Sequence, residues 1–138
     1  MRNVSIALDV MGGDKVPFST VKSLEFIKKE DNLKVFLVGE KEKFNNLLSS
    51  LNPDIYSIVE CKKFISMDEK IGRQLLKDID TTMSVTLQLL KEKKVDVALS
   101  AGNTAAFVAL SISNIGLIEG IERPAIAIHF PNIFNGNT

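Results

Sequence analysis

Two glycine-bearing turns carry the residues that could do chemistry. Asp9-Val-Met-Gly-Gly-Asp14 follows the apolar run 4–8, and Ser100-Ala-Gly-Asn-Thr104 follows the apolar segment 95–99. The second turn opens at once into an Ala-rich stretch, 104 to about 117, of helical character. A strand that empties through a small polar turn into a helix puts backbone N–H groups and the positive end of the helix dipole at the rim of a sheet. An anion, phosphate above all, can be held there. Gly12 and Gly13 allow backbone angles closed to other residues and let a ligand approach the main chain. Gly102 can do the same, while Asn103 and Thr104 offer side-chain hydrogen bonds. The competing reading is that these glycines only turn the chain. Neither turn fits a nucleotide fingerprint: no G-x-G-x-x-G follows the first run, and G-x-x-x-x-G-K-[ST] occurs nowhere.

The surrounding elements must bring the two turns together. Short, continuously apolar runs predict buried strands at 4–8, 34–38, 55–59, 95–100 and 125–130. Between them, Phe18, Val21, Leu24 and Ile27 recur at helical spacing, as do Phe44, Leu47, Leu48 and Leu51. Thr81 or Thr82 is the expected N-cap of a helix running to about Lys93, with Met83, Leu87 and Leu90 on its apolar face. Residues 62–80 are less regular, with a helical turn or two expected in 71–76. Strands alternating with helices predict an α/β fold with a mainly parallel sheet covered on both faces. In such a sheet, ligands bind beyond the carboxyl ends of the strands. Both glycine turns should therefore share one rim. Residues 131–138 read as a loop with no closing element, so the chain looks cut off at that end.

Composition narrows the class. The 138 residues suffice for one domain, and 45% hydrophobic with 25% charged residues is ordinary for a soluble globular protein. Seventeen basic and seventeen acidic residues cancel, so no basic excess argues for nucleic acid. An acid at Asp9 comes too early for a signal peptide, and the apolar stretch 105–118 is too short to span a bilayer. The chain reads as cytoplasmic. Cys61 is the single cysteine and reads as a buried, inert thiol; His129 is the single histidine and reads as a structural one within a strand. No metal site and no Cys-His chemistry is expected from such a pair.

The motifs carry a resemblance. Ile6-Ala-Leu-Asp-Val-Met-Gly-Gly-Asp14 resembles the opening signature of the bacterial phosphate acyltransferases of phospholipid synthesis, the PlsX family. Leu99-Ser-Ala-Gly-Asn-Thr104 and Gly120-Ile-Glu-Arg-Pro-Ala-Ile-Ala127 resemble later segments of the same family, as do 34–39 and the region from Arg73 to Asp80-Thr-Thr-Met83. The resemblance runs in order over the whole chain. It implies an α/β/α sandwich of Rossmann-like type, of which residues 1–138 form the N-terminal portion. It also implies a homodimeric cytoplasmic enzyme that works at the membrane surface. The implied reaction transfers a fatty acyl group from acyl carrier protein to inorganic phosphate, giving acyl phosphate, without a cofactor.

That reaction needs no protein nucleophile, because phosphate itself attacks the thioester. The protein must place phosphate and stabilise the developing oxyanion. Gly12, Gly13, Ser100, Gly102, Asn103 and Thr104 are the candidates for holding phosphate or substrate, and Asp9, Asp14 and Asn103 for the catalytic roles. A carboxylate beside phosphate is repulsive unless a proton is shared. Asp9 and Asp14 are therefore expected to orient the loop or to accept from a protonated phosphate; capping their own turns is the alternative. Two positions depart from the family pattern. Asp78-Ile79 stands where a Lys-Lys pair is common, and Ala105 stands where Gly is usual. A non-catalytic phosphate- or nucleotide-binding module, and a truncated product inactive alone, are the competing readings.

Overall fold

The apolar run at the start of the chain becomes a central strand. The computed structural model describes residues 3–28 and 32–127. In it, β1 (Val4–Asp9), β2 (Leu33–Gly39), β3 (Tyr56–Glu60) and β4 (Val97–Ser100) form one parallel sheet in the order β3-β2-β1-β4. The chain builds outward from β1 to β2 and β3, then returns to place β4 on the other side of β1. The β1 and β4 loops therefore leave the sheet where the strand order reverses, which is where open α/β sheets form a ligand crevice.

In-register pairing fixes which side chains share a face. Ala7 pairs with Ala98 and Leu8 with Leu99, so Ala98 and Leu8 point to opposite faces. On the Leu8 face, Val35 and Leu37 pack under α1 (Phe18–Lys22) and α2 (Lys41–Phe44), with Val21, Leu24, Phe44, Leu48 and Leu51 buried among them. On the Ala98 face, α3 (Thr82–Lys91) and α4 (Thr104–Asn114) pack together through Met83, Leu87, Ala106 and Leu110. The result is an α/β/α arrangement, as the alternation of strands and helices predicts.

Several elements differ in detail. Each of the first two helices is a single α-turn continued by 3₁₀ geometry, over Ser23–Phe26 and Asn45–Ser50. Asn45, Asn46, Ser49 and Ser50 hold few helical preferences of their own, since short polar side chains compete for backbone partners. Phe18, expected on the buried face of α1, is its first residue and is 58% exposed. The expected turn in 71–76 is a 3₁₀ turn at Leu75–Lys77. Thr81 is the cap of α3, its hydroxyl accepting from Ser84 N–H at 3.2 Å. Helix α4 stops at Asn114 rather than near 117: Gly116, at φ +92°, turns back so that its N–H reaches Ser111 and Ile112 carbonyls. The strand expected over 125–130 is not formed at 125–127; its remainder, with His129, lies outside the described residues. Coverage of both faces also stops short at β4, where Val97 and Leu99 remain 42% and 50% exposed. No helix among the described residues is long and apolar enough to cross a membrane.

Candidate functional site

The two turns meet at the rim. Asp9 and Ser100 are paired residues at the carboxyl ends of β1 and β4, so their side chains lie on the same face. The Ser100 hydroxyl donates to Asp9 Oδ2 at 2.8 Å and accepts from Gly102 N–H at 3.1 Å. The other carboxylate oxygen, Asp9 Oδ1, accepts from Met11 N–H at 3.1 Å, closing the first turn on itself. Asp9 is only 1% exposed. Burial pushes its carboxyl above the usual carboxylate range, opposed by the hydroxyls of Ser100 and Thr82 and by the N–H groups of Met11 and Gly12. The Thr82 hydroxyl is completely buried against Asp9 and makes no well-formed hydrogen bond of its own.

The glycines allow this closeness. A Cβ on Gly12 would lie 2.5 Å from Ser100 Oγ, 2.8 Å from Asp9 Oδ2 and 2.9 Å from Gly102 N. A Cβ on Gly102 would lie 3.2 Å from Gly12 Cα. The close approach is thus first of all between the two turns. Gly13, at φ +121°, takes a backbone conformation that favours glycine.

The remaining candidates have distinct places. Asn103 caps α4: its Oδ1 accepts from Ala106 N–H, and its Nδ2 donates to the Met67 and Glu69 carbonyls, all at 3.1 Å. It ties the 67–69 segment to the helix start. Phe107 N–H reaches the Asn103 carbonyl, so the N–H groups of Thr104 and Ala105 remain without intrahelical partners at the rim. Thr104 and Ala105 are exposed there; Asp14 and Lys15 are exposed on the first loop, and Asp14 does not join the Asp9–Ser100 cluster. Cys61 is buried, its thiol donating to the Asp80 carbonyl at 3.1 Å, and burial raises its pKa. Asp78 pairs with Lys63 at 3.1 Å and accepts from Asp80 N–H, which builds the turn before α3 and holds its carboxyl below the usual range. Thr82 is the site residue that sequence reasoning left as a helix cap; the one signal for it was its position at a helix start.

A family model described as fatty acid synthesis protein matches residues 4–138. The chain belongs to this family. Among curated members of the fatty acid synthesis family, the phosphate acyltransferase of Dictyoglomus turgidum is 39% identical over 132 residues, covering 94% of this chain and 39% of the relative. That of Pseudothermotoga lettingae is 38% identical, covering 98% and 38%, and that of Vibrio atlanticus is 36% identical, covering 100% and 42%. This family member spans about two-fifths of the length of those relatives.

The raised Asp9 pKa has a signed consequence for stability. Over the window from the ordinary carboxylate range up to the raised native value, the folded chain keeps a proton that the unfolded chain has lost. Stability from this group is fully present below that window and falls as pH rises through it. Asp9→Asn cannot titrate. Its urea midpoint, measured against wild type across pH, is expected to improve relative to wild type as pH rises through the window. A constant difference would show that Asp9 titrates alike in both states.

Proposed function

We propose that this chain supplies the phosphate-holding part of an enzyme that moves a fatty acyl group from acyl carrier protein to inorganic phosphate, for phospholipid synthesis. The observation that carries the reading is the junction of the two turns at the strand-order reversal, beside the N–H groups of Thr104 and Ala105, which lack intrahelical partners. The names of the curated relatives support the chemistry. In the proposed step a phosphate oxygen attacks the thioester carbon, the C–S bond breaks, and the carrier leaves as a thiolate that takes a proton from solvent. The helix start and Ser100 hold phosphate, Gly12, Gly13 and Gly102 shape the cradle, Asn103 fixes the helix start, and Asp9 stands behind Ser100. Asp14, exposed on the first loop, has no assigned contact in this step.

An apolar groove of about 440 Å³ begins at Thr104, runs along α4 past Phe107, Val108 and Ile112, and reaches Ile118 in the segment that follows. Among the described residues its lining holds no charged side chain, which suits an acyl chain whose carbonyl lies at the rim. The enzyme is read as a cytoplasmic homodimer that meets the membrane at its surface. The reaction is tested by following acyl phosphate formation from acyl carrier protein and phosphate. Activity is expected of the protein at its relatives' full length, and little from these residues alone, because Val97 and Leu99 of β4 are left 42% and 50% exposed and the chain spans two-fifths of the relatives. Phosphate binding without any acyl transfer at full length would favour the non-catalytic module instead.

A further inference from the structure

The Ser100 hydroxyl has one proton to donate and two lone pairs. In the structure its proton is spent on Asp9 Oδ2, and one lone pair takes Gly102 N–H. A hydroxyl in that state offers an entering anion a lone pair, which repels it. If Asp9 carries the proton instead, the carboxyl donates to Ser100 Oγ, Gly102 N–H takes the second lone pair, and the Ser100 O–H is left to point out of the cluster. The same three atoms then present a donor at the rim. We propose that anion binding at this rim is coupled to uptake of one proton by Asp9, with the Asp9–Ser100 hydrogen bond reversing its direction.

Two further observations bear on it. Among the described residues, no Lys or Arg acts on Asp9: its surroundings there are the hydroxyls of Ser100 and Thr82 and the N–H groups of Met11 and Gly12. Of the titratable groups facing it, Cys61 is close enough for the Asp9 charge to raise its own pKa, and it stays neutral as a buried thiol. Helix α3 presents Thr82, and the turn before α4 presents Ser100 and Gly102, none of them charged at neutral pH. Among these described groups, a second negative charge brought to the rim is offset by a proton on Asp9. Thr82 supplies the independent sign: its hydroxyl is 0% exposed, faces Asp9 and makes no well-formed hydrogen bond. A spare buried donor beside the carboxyl is what a group with two protonation states requires, since it can hold the charged form when no ligand is bound. The proton comes from the buffer, the bond formed is Oδ2–H, and no bond to the anion is made or broken.

The inference rests on phosphate being the anion held here, and the test separates the two. The intact protein is titrated calorimetrically with inorganic phosphate at neutral pH, in buffers of different ionisation enthalpy. Each phosphate bound is expected to draw one proton beyond those its own second ionisation accounts for. Affinity is expected to fall about tenfold per pH unit once Asp9 is ionised in the free protein. Asp9→Asn, whose amide donates permanently to Ser100, should bind with no such uptake and with only the pH dependence that the ionisation of phosphate itself brings. Thr82→Val, which keeps the side-chain shape, should move the wild-type profile to higher pH. Binding with no extra proton in the wild type overturns the coupling and leaves the phosphate site standing. No phosphate binding at all overturns both. The proton count in the wild type decides the matter even if a variant fails to fold.

Discussion

Gly12→Ala is expected to cost about 3 kcal/mol of folding stability and to abolish phosphate binding. The added Cβ would sit 2.5 Å from Ser100 Oγ, 2.8 Å from Asp9 Oδ2 and 2.9 Å from the backbone nitrogen of Gly102. None of these can yield cheaply. Ser100 and Asp9 are held by each other, and Gly102 N–H is fixed to Ser100. Relief comes only by parting the two turns, which breaks the hydrogen bonds that define the rim. Denaturant unfolding and phosphate titration read the two effects separately. Gly72→Ala is the control: nothing lies within 4 Å of its would-be Cβ, so its change should stay within about 0.5 kcal/mol. Equal effects at both positions would mean that the turns tolerate separation.

Phe44→Ala is expected to cost about 3–5 kcal/mol. Phe44 is fully buried at the end of α2 in the core on the Leu8 face. Its ring lies against Gly39 at the carboxyl end of β2, where a Cβ would come within 3.3 Å of Phe44 Cε1 and 3.2 Å of Val10 Cβ. Val10 is the residue after Asp9, and its N–H donates to the Val38 carbonyl. Removing the ring therefore hollows the floor under the first turn as well as the core. Phosphate affinity is expected to fall along with the melting temperature, although Phe44 touches no candidate ligand group. A large stability loss with unchanged affinity would show that the rim is carried by β1 and β4 alone.

The site was legible in the sequence to the extent that it is local. Continuous apolar runs marked the four strands of the described sheet to within two residues, because the strands of a parallel sheet, covered by helices, are apolar along their length. Val95 and Asp96 lie before β4 rather than in it, yet Asp96 N–H still bonds the Ser5 carbonyl, so the boundary is soft. Phe44, Leu48 and Leu51 are buried as their spacing predicts even though most of that segment is 3₁₀, since both helix types return side chains to one face every three or four residues. Geometry between distant segments was not legible. Nothing in Ser-Ala-Gly-Asn-Thr says that Asn103 spends its amide on the 67–69 carbonyls, or that Thr82 lies beside Asp9. Those facts depend on how α3 and α4 settle on the sheet. Asp78 shows the same limit: as a departure from the family's Lys-Lys pair it reads as a lost positive charge, but folded it draws Lys63 toward the turn before α3.

The bond between Ser100 and Asp9 joins residues 91 positions apart. No short piece of the chain can make this rim, and its closure must wait until β4 has docked beside β1. Contacts of such long sequence separation are slow to form, because the entropy of closing the intervening loop is lost before they give anything back. During synthesis, the first turn would leave the ribosome long before its counterpart exists. Asp9 would pass that interval as an ordinary solvated carboxylate, and its burial would belong to the final stage of folding.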